Sequence, residues 1–281
     1  MADVSLQDFL GAADSTTTTF LTRTYPAMAG AVAEPIYLAA ILYWALYGYR
    51  VYAGHSPLAW RDFLAKAVMT VAVFGTLNWG GFANTIYQAF VSFMNTAAGT
   101  LMAGRPVDNL LDALFTDVDK ISATLRKANF YQWSVLLDGF LLFVLNCVLF
   151  IIALGYMTIA KFGLAITMAL LPLFVGFFFF EQTRHWATNW VNMMLTFALL
   201  YILVVAIVSF GFVAYGSTID AAKSLATNSD TGQLLIIEGV LIVLLGGVRG
   251  WAAALAGGAM SSTGVLMMVV RAAVSGRGGR K

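Results

Sequence analysis

The residue types that build most metal and nucleophile chemistry are scarce in this sequence, which has one cysteine, Cys147, and two histidines, His55 and His185. A single thiol forms no internal disulfide, and it cannot join two imidazoles in a structural-zinc cluster. Neither histidine is followed four residues later by an aspartate, the pattern a membrane acyltransferase needs. No serine has the companions of a nucleophilic triad, and no phosphate-binding glycine loop precedes a helix start. The remaining candidates are acidic groups in apolar surroundings: Asp138, Glu181 and Glu238. Glu238 and Arg249 lie in or at the end of one apolar stretch, eleven residues apart. On a helix they share a face but stand about 16 Å from each other, too far to pair. A carboxylate inside a span is either a polar contact with a function or an interfacial group within reach of water. Both readings are open for Glu238, and Asp138 reads as interfacial. No catalytic constellation and no cofactor are expected.

The elements that must hold these groups follow from composition. The chain has 281 residues, of which 60% are hydrophobic and 11% charged, with 26 glycines in addition. An ordinary soluble domain carries about 25% charged residues, so this chain has too few to cover a water-facing surface. The composition excludes a soluble enzyme, a nucleic-acid-binding domain and a disordered chain. An all-α, polytopic membrane protein is expected.

Runs near 20 apolar residues place spans at about Ile36–Val51, Phe63–Trp79, Ser134–Ala160, Trp190–Tyr215 and Leu234–Val248. Lys66 can snorkel from the second. A sixth segment, Gly163–Phe180, follows the third closely and carries Pro172 between Gly163 and Gly176. It reads as either a full span or a re-entrant, proline-broken element, giving five to six membrane segments. Six of the seven tryptophans fall near proposed span ends, and only Trp44 falls within one. That is where an indole prefers the headgroup level.

Residues 1–33 carry three aspartates and one basic residue. They lack the basic start and compact apolar run of a signal peptide, and read as a tail outside the membrane. Residues 34–80 then hold the first two spans, 81–133 a central loop, 134–258 a membrane core and 259–281 a basic tail. The central loop carries amphipathic patterns. Phe82, Ile86, Phe90 and Phe93 recur at helical spacing in a stretch that lies on the membrane or against a partner, or else enters the bilayer. After Pro106, the residues Val107, Leu110, Leu114, Val118 and Ile121 form one apolar face, expected to dock on a partner or a second copy. Gly246, Gly250, Ala254 and Gly258 repeat every four residues, a small-residue stripe suited to close helix packing within the chain or between copies.

Counting Lys and Arg orients the chain. Five spans with the N-terminus outside put ten of the sixteen basic residues inside, whereas six spans put five there. The five-span arrangement is favoured, with the N-terminus periplasmic and the C-terminus cytoplasmic. The basic end of the chain reads as a solvated tail, with contact to anionic headgroups or nucleic acid as the alternatives.

The stretch Lys161-Phe162-Gly163, then Ala169-Leu170-Leu171-Pro172-Leu173-Phe174, then Phe180-Glu181-Gln182-Thr183-Arg184 with Trp190 after it, resembles the core of a known family. That family is the polytopic inner-membrane subunit of bacterial type IV secretion systems, which includes the large conjugation-channel protein of plasmid transfer operons. The likeness covers about Asp138–Trp251, and the first 130 residues only by layout. It singles out Pro172, Glu181, Thr183, Arg184 and Trp190. It implies a non-enzymatic part of the translocation channel and pilus-assembly platform, acting in DNA or protein transfer. The implied partners are other copies in a ring, a minor pilin and pilin subunits, bitopic scaffold subunits and cytoplasmic ATPases, with transient contact to the translocated DNA or protein and to membrane lipids. Many members carry a larger loop or C-terminal extension, which this chain lacks. The competing readings are an ion-coupled secondary transporter working through Glu238, an unrelated channel, and a membrane enzyme using Asp138, Glu181 or Glu238.

Overall fold

A computed structural model describes residues 6–55, 60–102, 116–123, 133–224 and 228–275. All regular structure among these residues is helical: α1 (Leu6–Tyr52), α2 (Trp60–Thr76), α3 (Asn84–Leu101), α4 (116–123), α5 (Trp133–Ala169), α6 (Leu171–Val175), α7 (Arg184–Ser224) and α8 (Asn228–Ser275). Among the described residues, four helices are long and apolar enough to cross a membrane: α1, α5, α7 and α8. The pair α2–α3 makes a fifth if it is taken as one broken span, and it is bent by 92°.

The first helix starts well before the expected span. Leu10, Ala13, Thr17, Leu21, Tyr25 and Ala29 recur every three or four residues and are all buried. That stripe docks the first half of α1 on the bundle, so the segment expected as a tail is helical from Leu6. The second half of α1 pairs with α2. Trp44 packs against Phe63 and donates to Thr70 Oγ1, and Lys66 Nζ lies 4.4 Å from the centre of the Tyr47 ring.

The core is an α5–α7–α8 bundle. Thr167 meets Trp190 at one end, and Asn146 and Leu149 meet Ile207 and Val208 toward the other, so α5 and α7 are antiparallel. Gly163 permits the close approach of these helices, because a Cβ there would lie 2.3 Å from the Phe197 ring. The buried face of α8 is Leu234, Glu238, Leu241, Leu245, Val248, Ala252 and Ala256, again at helical spacing. Leu241 fills the space left by Gly211 on α7.

Two expectations change here. Gly163–Phe180 forms no span of its own: Gly163–Ala169 completes α5, the helix breaks at Leu170, and α6 with a 3-10 turn at Gly176–Phe178 leads into α7. Pro172 lies in the first turn of α6, where its missing N–H costs nothing. The α3 segment does not lie free on a membrane surface. Tyr87, Met94 and Ala98 are buried, and α3 runs beside α7, with Phe90 near Trp190 and Leu101 near Ser209.

Candidate functional site

A helix end leaves carbonyls without partners unless another group reaches them. Among the described residues, three helix ends are capped by a side chain from another helix. The Tyr25 hydroxyl on α1 donates to the carbonyl of Thr76, the last residue of α2. Trp190 Nε1 on α7 donates to the carbonyl of Thr167 in the last turn of α5, at 2.8 Å. Ser209 Oγ on α7 donates to the carbonyl of Leu101, the last residue of α3, at 3.0 Å. These bonds make broken helices tolerable and tie α1, α3 and α5 to their neighbours.

The α2–α3 bend is built locally. The Asn78 side chain accepts from the Gly80 N–H at 3.1 Å. Gly81 has φ −94° and ψ −137°, and a Cβ there would sit 2.6 Å from the Gly75 carbonyl oxygen. The ring of Trp79 packs on Tyr25 and Tyr87 at the corner. Under the bend lies an apolar cavity of about 330 Å³ between α2, α3, α6 and α7, bordered by Leu171, Val175 and Trp190.

The family-core residues fall on this broken region with separate tasks. Pro172 is buried and starts α6. Thr183 Oγ1 donates to the carbonyls of Phe177 (3.0 Å) and Phe180 (3.3 Å), closing the turn before α7. The Arg184 N–H donates to the Phe180 carbonyl at 3.1 Å, while the Arg184 and Glu181 side chains are exposed. Trp190 is buried and stacks on Phe174. The expectation of a headgroup-level indole fails for Trp190, because its N–H is used inside the protein. Trp60, Trp186 and Trp251 are exposed, as that expectation requires.

The charged candidates separate. Asp138 is half-buried near the start of the α5 span. Glu238 is fully buried six residues into the α8 span, so it does not open to water within this chain. Sequence reading missed the ion pair of Lys161 Nζ with Asp14 Oδ1, at 2.8 Å. Lys161 Nζ also lies 5.8 Å from the Tyr201 ring centre, and Thr17, one turn from Asp14, is within 3.5 Å of the Tyr87 hydroxyl. The every-fourth-residue stripe from Leu10 to Ala29 was the available signal that α1 docks here.

The two proposed contact faces also divide. Val118 and Ile121 are buried inside this chain, and Val118 borders a small void with Leu149, Ile207 and Leu245. At these two positions the expected partner face is an internal contact. Val107, Leu110 and Leu114 lie outside the described residues. Gly246, Gly250 and Ala254 point away from the α8 core face and are exposed, and a Cβ at either glycine would meet nothing within 4 Å. The Gly258 side-chain position lies outside the described residues. Among the described residues, no His, Cys, Asp and Glu cluster could hold a metal ion.

Residues 40–248, about three quarters of the chain, match the family described as TrbL/VirB6 plasmid conjugal transfer protein. The chain is 25% identical over 193 residues to a type IV secretion system protein VirB6 of Bartonella quintana. It is equally similar to the VirB6 protein of Bartonella henselae. Each match covers 66% of this chain and 59% of the relative.

Proposed function

This chain belongs to the TrbL/VirB6 plasmid conjugal transfer family, and from that premise we propose that it is an inner-membrane component of a type IV secretion system. Its role is non-enzymatic: it forms part of the translocation channel and pilus-assembly platform through which DNA or protein leaves the cell. The observation that carries this reading is the extent of the family match, which runs from the second half of α1 to Val248 and takes in the whole broken-helix region. An ion-coupled transporter is not favoured by it.

The partners proposed are further copies of the chain, a minor pilin and pilin, bitopic scaffold subunits and cytoplasmic ATPases that supply the energy. The outward Gly246–Gly250–Ala254 stripe suits contact between copies, since small side chains let helix backbones approach in lipid. The N-terminus is proposed to be periplasmic and the C-terminus cytoplasmic, following the distribution of basic residues.

The test is gentle detergent extraction of the tagged protein from its native host, with mass spectrometry of what accompanies it. Pilin-like, bitopic and ATPase partners in a reproducible ratio are expected. Recovery of the chain alone, as a stable small oligomer, would overturn the reading.

A further inference from the structure

A second site lies on the far side of the bundle from the α2–α3 bend. Between α5, α7 and α8 the structure holds an open cavity of about 420 Å³, in the size range of small-molecule sites. Its polar groups converge from two helices: Asn189, Asn192 and Thr196 on α7, and Arg249 on α8. The remaining wall is apolar and includes Ile159 and Leu200.

Three observations say what this cavity is suited to hold. Arg249 is exposed, and among the described residues the ion pairs to carboxylates are made by Lys120 and Lys161 rather than by Arg249. Asn192 Oδ1 is buried, out of reach of solvent and without a hydrogen-bond partner in the protein, so it gains a donor only by turning its carboxamide toward the cavity. The Thr196 hydroxyl spends its proton on the Asn192 carbonyl at 2.8 Å, which leaves its oxygen able only to accept. The site therefore asks for an anion at Arg249 and for a hydroxyl or ammonium donor near Asn192 and Thr196.

Position decides the source of that ligand. Asn192 lies eight residues inside the Arg184 start of α7, and Arg249 borders the same cavity. Asn192 is thus about 12 Å along α7 from that end, at a depth where headgroups meet acyl chains and where the long Arg side chain reaches toward water. Exposed Trp186 and Trp251 flank this end of the bundle, as befits the headgroup level. A soluble anion would have to cross the headgroup layer to arrive, whereas a lipid is already there. Choline offers no donor to Asn192, and an ethanolamine headgroup brings its own cation beside Arg249.

We propose that the Arg249–Asn192–Thr196 cavity binds one anionic phospholipid with a hydroxyl-bearing headgroup. Its phosphodiester accepts from the Arg249 guanidinium, its hydroxyl donates to Thr196 Oγ1 and to Asn192 Oδ1 once that carboxamide turns toward the cavity, and an acyl chain follows the apolar wall between α5 and α7. The inference is independent of what the protein transports.

The experiment is native mass spectrometry of the purified full chain, exchanged into mixed micelles of phosphatidylglycerol and phosphatidylcholine at equal concentration. Wild type is expected to retain phosphatidylglycerol at least about fivefold over phosphatidylcholine, the ratio that about 1 kcal/mol of preference gives. Arg249→Gln is expected to abolish that excess, Asn192→Leu to reduce it severalfold, and Arg249→Lys to keep part of it. Lys66→Gln, on the opposite side of the molecule, should leave it unchanged. Melting in phosphatidylcholine alone checks that the variants fold, because only the phosphatidylglycerol-dependent rise in melting temperature should be lost. Equal retention of the two lipids by wild type, or an undiminished excess in Arg249→Gln, would overturn the proposal. Displacement of phosphatidylglycerol by millimolar inorganic phosphate would also overturn it, in favour of a soluble-anion site.

Discussion

Lys161 Nζ on α5 lies 2.8 Å from Asp14 Oδ1 and 2.9 Å from Oδ2 on α1, joining residues 147 positions apart. The lysine side chain is 12% exposed and the aspartate 61%. Lys161 falls inside the family match and Asp14 outside it, so the contact ties the first half of α1 to the matched core.

Because Asp14 is open to solvent, the pair should contribute about 0.2–1 kcal/mol rather than the larger figure of a buried bridge. Asp14→Lys and Lys161→Asp should each lower the thermal midpoint in detergent, and the double charge swap should recover most of the loss. Additive losses in the double variant would show that the two residues do not interact.

Gly163 should tolerate no larger side chain while Phe197 is present. Gly163→Val is expected to cost about 1–3 kcal/mol by overpacking, and Phe197→Ala in the same chain should relieve part of that cost. Fluorescence-detected size exclusion after heating reads both effects. An unaffected Gly163→Val would mean that α5 and α7 approach less closely than described.

Trp190 separates packing from hydrogen bonding. Trp190→Phe keeps most of the ring contact with Phe174 but loses the donor to Thr167, for a cost of about 1 kcal/mol. Trp190→Ala should cost about 3–5 kcal/mol and lower the amount of protein in the membrane. Wild-type stability of Trp190→Phe would remove the capping role.

The outward stripe on α8 predicts a change in assembly without a change in fold. Gly250→Leu with Gly246→Leu should leave the monomer's helix content and melting intact, since a Cβ at either position meets nothing from the rest of the bundle within 4 Å. It should shift the particle-mass distribution toward monomer. An unchanged oligomer would place the contact between copies elsewhere.

The long apolar runs made α5, α7 and α8 legible in the sequence, and Pro172 between two glycines marked the break that α6 embodies. What stayed hidden was azimuth. In lipid both faces of a helix are apolar, so hydropathy locates a span without telling which side meets protein. Trp190 looked like an interfacial anchor for that reason, and Val118 and Ile121 looked like a free face although both are buried in this chain, Val118 against α5, α7 and α8. The start of α1 was concealed differently. Ser15–Thr19 breaks the apolar run, yet on a helix those polar residues mostly face outward while Leu10, Thr17, Leu21 and Tyr25 face in. Asp14 and Lys161 were each visible, but nothing local couples residues so far apart in the chain.

The capped ends also set an order of events during synthesis. The Leu101 carbonyl that closes α3 waits for Ser209, which is made 108 residues later, and the Thr167 carbonyl waits for Trp190, 23 residues later. When residues 60–101 leave the ribosome, the partner that completes them does not yet exist. The corner between α2 and α3 needs only Tyr25, Asn78, Trp79 and Tyr87, all made by then, whereas the far end of α3 is completed only when α7 has been delivered.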